Sequence, residues 1–506
     1  MWPLADRQSF AAPAPTDGGR QAAVIDLGSN SVRLVIYRIE GRSIWTVFNE
    51  KALAGLGRDL PQTGRLSPDG VEEALTALRR YRAVLQAWDQ AELFSAATAA
   101  VREASDGPAF LRRVRDEVGL DVPLLSGEAE ARYGALGVLA GAPDSEGLVG
   151  DLGGSSLELT PVSDGRAGPG VTLPLGAFAL GAPRPLDIDV ARRTIGARLG
   201  EVADRFSGQT LHAVGGSWRN LALLHMEMSG YPLHVTHLYE MTRVEALDVA
   251  RFAARQSRHS LERIQGLSKK RFDTLPYAAL VLETLVERLD IPRVVISAYG
   301  VREGMLFESM TPAEQAADPL IAGCAALVGV RGLSLDLGES LESWLAPAFS
   351  ALPPVFGARD RVLMAAACRL ADLGARLHPD HRADVVFEQV LRAPIAGMNH
   401  AERTFLACAI FSRYTAATTT PEANVVSRLL TAERRQRARA LGAAIRLGCD
   451  LSGRNGRLLE KARLSIRDDQ LVLAAAPGWS DMLLGEQTAK RAATLAGVLR
   501  LKLQMG

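Results

Sequence analysis

Val24-Ile25-Asp26-Leu27-Gly28-Ser29-Asn30-Ser31-Val32-Arg33-Leu34 recurs as Val149-Gly150-Asp151-Leu152-Gly153-Gly154-Ser155-Ser156-Leu157-Glu158-Leu159, with Asp, Leu, Gly, Ser and Leu at the same offsets. Each copy sets apolar runs, Ala22 to Ile25 with Leu34 to Tyr37 and Leu148 to Val149 with Leu159, on either side of a small-residue turn. That pattern predicts a β-hairpin. With the turns centred on Ser29-Asn30 and Gly154-Ser155, Asp26 falls opposite Arg33 and Asp151 opposite Glu158.

Small turn residues leave backbone N–H groups free to converge on an anion, and Ser29, Asn30, Ser31, Ser155 and Ser156 add side-chain donors. Such a turn suits phosphate. A neighbouring carboxylate repels phosphate unless a cation stands between them, so Asp26, Asp151 and Glu158 suggest Mg²⁺ held largely through water. A single copy is accounted for by a well-formed turn; two copies point to a repeated grip.

The paired hairpins resemble those of the superfamily that holds actin, the sugar kinases and the ATPase domain of heat-shock chaperones. The wording of the motifs is similar to one branch, the exopolyphosphatase and guanosine pentaphosphate phosphohydrolase (Ppx/GppA) family. Ala97-Thr98-Ala99-Ala100-Val101-Arg102, Ser126-Gly127-Glu128-Ala129-Glu130-Ala131-Arg132, Ala213-Val214-Gly215-Gly216-Ser217 and Val301-Arg302-Glu303-Gly304-Met305-Leu306 fall in the family's order.

The resemblance implies an α/β fold of two ribonuclease H-like (actin-like ATPase) domains about an interdomain cleft. A mainly α-helical C-terminal region resembling a degenerate HD domain and a small α+β tail would follow. The expected boundaries are a disordered lead over residues 1–20, domains over 21–140 and 141–310, a helical HD-like domain over 311–430 and a C-terminal α+β domain over 431–506. It also implies roles. Glu130 stands in the place of the catalytic base, with Ala129 where the family usually has a second acid. Arg102 stands where an Arg faces the phosphate, with Thr98 beside it. Asp151 and Glu158 join the catalytic set and, with Asp26, the metal set. Ser29, Asn30, Ser31, Thr98, Gly153, Gly154, Ser155, Gly215, Gly216 and Arg271 form the expected substrate-binding set. Mg²⁺ is the implied cofactor, with room for a monovalent cation such as K⁺.

The implied reaction is hydrolytic release of terminal orthophosphate from inorganic polyphosphate. The alternatives are hydrolysis of guanosine pentaphosphate (pppGpp), a superfamily kinase or ATPase, and a non-catalytic sensor of such anions. The implied partners are the polyanion and a second copy in a homodimer, with no DNA. A cytoplasmic location goes with this reading.

Composition bounds the rest. A chain of 506 residues exceeds one core. A net charge of +1 provides no global field for a polyanion, so attraction must come from local basic patches. Two are visible. Ser268-Lys269-Lys270-Arg271 reads as a polyanion contact or a solvated helix cap, and Arg435, Arg439 and Arg446 share a side of a helix over Thr431 to Arg446. That side is a solvated face, a dimer seam or a polyphosphate track. Cys324, Cys368, Cys408 and Cys449 lie in apolar helical contexts without C-x-x-C spacing and read as buried free thiols. Ala371-Asp372 stands where an HD pair would fall, so no metal is expected at His378, His381 or His400. No apolar run is long enough to span a membrane.

Further strands are expected over Asp121–Leu125 and Ala462–Ala475, and helices over Asp360–Leu377 and Gly485–Leu503. A helix opening at Val301 is expected to lean back on the first domain.

Overall fold

The computed structural model describes residues 19–88, 91–264, 266–329 and 336–506. Residues 1–18 of the expected lead-in lie outside the described residues, and Arg20 opens the first strand.

The first sheet holds β1 (Arg20–Leu27), β2 (Val32–Glu40), β3 (Ser43–Ala52) and β4 (Glu92–Ala97) in the order β3-β2-β1-β4. Ala22 to Ile25 are all buried because the sheet is covered on both faces. Leu75, Leu78 and Tyr81 of helix Pro68–Gln86 pack on Ala23, Ile25 and Leu27. Leu306 and Phe307 of helix Val301–Glu308 pack on Ala22 and Val24 from the other side, so that helix leans on the first domain as expected.

The second sheet holds β5 (Gly147–Leu152), β6 (Leu157–Ser163), β7 (Arg166–Ala167), β8 (Val171–Leu173), β9 (Leu211–Val214), β10 (Glu240–Thr242) and β11 (Arg293–Ile296). Its order is β10-β11-β9-β5-β6-β7, with β8 also on β6. Ala135, Val138 and Leu139 of helix Gly127–Gly141 cover one face, against Val149, Val162 and Val214. The other face packs on helices Gly216–Met228 and Leu275–Arg288.

Both hairpins take the expected register. Asp26 pairs with Arg33 across β1–β2, and Asp151 with Glu158 across β5–β6. The neighbour of each first strand is parallel, β4 beside β1 and β9 beside β5. That parallel strand ends beside Leu27 in the first sheet, one residue past Asp26, and beside Asp151 in the second, so Thr98 and Gly215 emerge beside the hairpin turns. Ligands of open α/β sheets collect at such C-terminal strand ends.

The two halves are joined where helix Gly127–Gly141 crosses helix Val301–Glu308. A Cβ on Gly304 would lie 1.9 Å from the Tyr133 carbonyl oxygen, and one on Gly137 2.1 Å from that of Gly300. Glycine alone permits this approach.

Three expected elements are corrected. Asp121–Leu125 makes only the single bridge Ala97–Leu124, because Pro123 has no N–H to extend the pairing. The helix expected over Asp360–Leu377 is Arg359–Arg369, followed by turns that bring the Gly374 N–H to the Tyr414 hydroxyl at 3.0 Å. The closing helix is Glu486–Leu499; Arg500 ends it at φ 59°, and Lys502–Met505 pairs as β14 with β13 (Gln470–Ala475). With β12 (Ala462–Arg467), β13 forms the expected hairpin.

Residues on both sides of position 430 share one core, with Leu341, Leu406, Ile445 and Leu495 in a single cluster. The four cysteines are free and buried in this region. Among the described residues no helix is long and apolar enough to cross a membrane.

Candidate active site

The turns of the two hairpins meet. A Cβ on Gly154 would lie 2.9 Å from Ser29 Cβ and 3.3 Å from the Asn30 nitrogen. The Gly28 N–H donates to the Ser31 carbonyl at 3.0 Å and the Gly153 N–H to that of Ser156 at 2.9 Å, so both bends are the same. That bond uses none of the amides of Ser29, Asn30 and Ser31 or of Gly154, Ser155 and Ser156. Among the described residues they donate to no protein acceptor.

Each turn is braced from outside. The N–H groups of Gly55 and Gly57 donate to the carbonyls of Asn30 and Ser29 at 3.1 and 2.9 Å. Those of Gly176 and Phe178 donate to the carbonyls of Ser155 and Gly154 at 3.0 and 2.8 Å. Satisfying the carbonyls externally holds the free N–H edges toward the cleft.

The cleft between the sheets has a volume of about 180 Å³. Asp26, Glu130, Asp151 and Glu158 all reach it, from β1, helix Gly127–Gly141, β5 and β6. Ser126 caps that helix by accepting from the Ala129 N–H, which sets Glu130 one turn in. Burial raises the carboxyl pKa of all four, and neighbouring carboxyls of the set add to it at Glu130, Asp151 and Glu158. Asp151 is pushed up to about 7, first by burial and then by Glu130 and Asp26. Glu158 Oε1 is buried without a hydrogen-bond partner.

A set of cations shares the space: Arg33, Lys51, Arg219, Arg271 and Arg302. Burial and mutual repulsion lower the Lys51 amine to about 7 and the guanidinium groups of Arg33 and Arg271 to about 10. Arg302 Nη1 lies 3.7 Å from Asp26 Oδ2. The neighbouring Glu303 is fixed by the Tyr37 hydroxyl at 2.7 Å and the Gly300 N–H at 3.0 Å.

Most residues expected from the sequence are here: Asp26, Ser29, Asn30, Ser31, Thr98, Glu130, Asp151, Gly153, Gly154, Glu158, Gly215, Gly216 and Arg271. Gly215 has φ 114°, and a Cβ there would lie 2.6 Å from the Leu152 carbonyl. Gly216 leaves room for the Arg271 guanidinium, which a Cβ would meet at 2.0 Å. Close packing and the site thus explain the pair together.

Two residues sit elsewhere. Ser155 is buried with its hydroxyl unpartnered, close to Gly57, and Ser156 lines the cleft in its place. Arg102 is absent from the cleft wall: its Nη1 donates to Glu130 Oε2 at 2.9 Å and to the Leu125 carbonyl at 3.0 Å. The attraction of a buried carboxylate for a guanidinium decides its direction. It touches the expected base and does not line the cleft.

Sequence reasoning missed Arg33, Lys51, Arg219 and Arg302 as site residues. Signals existed. Arg33 pairs directly with Lys51 across β2–β3, a like-charge pair that a sheet avoids without compensation. Arg219 lies in the first turn of its helix, where the dipole disfavours a cation.

Asp26, Asp151 and Glu158 supply oxygen donors of the kind Mg²⁺ accepts, and the orphaned Glu158 oxygen fits such a demand. Among the described residues no three acidic, His or Cys side chains converge closely enough to hold an ion unaided. An ion here would complete its shell with water and substrate oxygens.

A model of the Ppx/GppA phosphatase family matches residues 35–313, and one of the exopolyphosphatase C-terminal region matches residues 320–505. The chain is 27% identical over 304 residues to exopolyphosphatase 1 of Mycobacterium tuberculosis, covering 57% of this chain and 87% of that protein. Against exopolyphosphatase 2 of the same organism it is 26% identical over 314 residues, covering 56% and 97%. The crystal structure of an exopolyphosphatase from Cytophaga hutchinsonii matches with a TM-score of 0.53 at 21% identity, covering 58% of this chain and 99% of that one, which shows the shared fold.

Proposed function

Because the chain belongs to the Ppx/GppA phosphatase family, we propose that it hydrolyses the terminal phosphoanhydride of inorganic polyphosphate and releases orthophosphate. The observation that carries this reading is the meeting of two matched amide-bearing turns in a cleft that Glu130 also lines.

The free amides of both turns take the oxygens of the end phosphoryl groups, and Arg33, Arg219, Arg271 and Arg302 offset the charge of the chain behind them. Glu130 accepts a proton from water as the water oxygen bonds to the terminal phosphorus. The bridging P–O bond breaks, and the shortened chain leaves with its electron pair. Burial, which raises the Glu130 pKa, makes it a stronger base, and Arg102 fixes its Oε2. Asp26, Asp151 and Glu158 would hold Mg²⁺, which would neutralise the charge that gathers on the phosphoryl oxygens.

The names of the relatives and the match of the C-terminal region support polyphosphate over pppGpp. Both substrates end in the same linkage, so hydrolysis of pppGpp is the second reading. Phosphate release from the two substrates, measured side by side with Mg²⁺ and with a chelator, tests the proposal. The expected result is Mg²⁺-dependent release with the higher kcat/KM on polyphosphate. Higher kcat/KM on pppGpp would move the assignment to the second reading, and no release from either would end both.

A further inference from the structure

The arginines of helix Ala432–Ser452, left open by the sequence, frame a second anion-shaped space far along the chain from the cleft. Arg439, Arg446 and Arg491 converge with the hydroxyls of Ser412, Thr415 and Thr494 on a cavity of about 60 Å³. This cavity shares Ser412, Ala417, Arg439, Thr494 and Val498 with a neighbouring one of about 840 Å³. The larger space also meets Arg435, Gln436, Arg500 and the hydroxyls of Thr418, Thr419, Thr420 and Ser427, with an apolar side from Phe411, Val426, Ala493 and Gly497.

The charge in the smaller cavity is unbalanced. Arg491 pairs with Asp450 at 2.8 Å, while the side chains of Arg439 and Arg446 make no hydrogen bond or ion pair among the described residues. Burial and then the neighbouring Arg491 lower the pKa of Arg446, an effect that Asp450 offsets only in part, as expected where cations outnumber the anion beside them. A guanidinium cluster beside hydroxyls is matched to a phosphoryl group, and an adjoining space of several hundred Å³ with one apolar side and one lined by hydroxyls is matched to an organic body that carries polar groups. None of these residues lines the cleft described above.

We propose that this groove in the C-terminal region binds a phosphomonoester of nucleotide size, its phosphate held by Arg439, Arg446 and Arg491 and its organic part seated between helices Ala432–Ser452 and Glu486–Leu499. A free inorganic anion shares the phosphate chemistry but leaves the apolar wall unused, and this difference is testable. A Cβ built on Gly497 meets no atom within 4 Å, so a side chain added there starts in open space on the wall of the larger cavity.

The experiment is calorimetric titration of the full chain with AMP, GMP and UMP, each against orthophosphate and tripolyphosphate. At least one nucleotide should bind at one site per chain. Arg439→Ala with Arg446→Ala should weaken nucleotide and orthophosphate alike, by at least about tenfold. Gly497→Phe should weaken the nucleotide by about tenfold or more and leave orthophosphate unchanged. Thermal melting confirms that each variant is folded, and Gly497→Phe keeps the test alive if the arginine pair does not fold. Binding of none of the three nucleotides overturns the proposal. So does nucleotide binding lost in Arg219→Ala instead, which would place the ligand in the cleft, or nucleotide binding untouched by Gly497→Phe, which would leave an inorganic-anion site only. A dimer that the arginine variant dissolves, with no nucleotide bound, would show the groove to be a seam between copies.

Discussion

The first hairpin and the second share a backbone and differ in charge. Both close the same turn, at 3.0 Å between Gly28 and Ser31 and 2.9 Å between Gly153 and Ser156, and both are braced by backbone amides from a following loop. Across the first, Asp26 faces Arg33, which in turn faces Lys51 on β3. Across the second, Asp151 faces Glu158. The same fold element therefore presents an acid with two bases in one domain and an acid pair in the other. Duplication preserved the amide grip, which depends on backbone shape. The cross-strand partner, which shape does not restrict, set one lobe to attract a polyanion and the other to demand a cation.

The largest effect expected from this division is on Asp151. Asp151→Asn should lower kcat by at least about 10²-fold, because it removes charge where the transition state is neutralised. Arg33→Ala should instead act on binding, raising KM by about tenfold with a smaller change in kcat. Steady-state kinetics on both variants reads the contrast, and equal kcat losses would erase it.

The braces differ too. A Cβ on Gly176 would lie 2.4 Å from backbone atoms of Gly154 and Ser155, whereas one on Gly57 meets side-chain atoms of Ser155, Ser29 and Ala100 at 3.0, 3.1 and 3.2 Å. Chemical denaturation should show Gly176→Ala costing about 2–3 kcal/mol and Gly57→Ala about 1 kcal/mol or less. The reverse order would mean that the second turn is the softer one.

The smallest effect is on stability against pH, and its sign is opposite in the two lobes. Asp151 titrates near 7 against an ordinary 3.8, so the stability it contributes is complete below 3.8 and fades as pH rises through 7. Lys51 titrates near 7 against an ordinary 10.5, so its contribution is complete above 10.5 and is lost as pH falls through 7. In the ligand-free protein, Asp151→Asn should raise the melting temperature by about 2–4 °C on the alkaline side of neutrality, and Lys51→Met by about as much on the acid side. Melting temperatures that move together across pH would contradict the opposed charges.

Much of this contrast was legible in the sequence. Hairpin existence, both Asp registers and the Ser126 cap before Glu130 follow from local rules of alternation, turn chemistry and capping. Of the cations only Arg271 was named; Arg33 and Lys51 were not, because they become neighbours only through β2–β3 pairing. Resemblance gave Arg102 a phosphate to face, whereas its position one strand away from Glu130 makes the carboxylate its partner. Apolar runs misled where one residue overrides them: Pro123 stopped a strand, and Arg500 in a left-handed conformation turned a helix end into β14.

The central claim is that the two turns hold the end of a polyanion while Glu130 activates water beside it. Single-turnover phosphate release by Glu130→Gln, with polyphosphate affinity measured on the same sample, tests it most directly. The account predicts release slowed by at least about 10²-fold with affinity within about threefold of the wild type. Release retained to within about fivefold would contradict it.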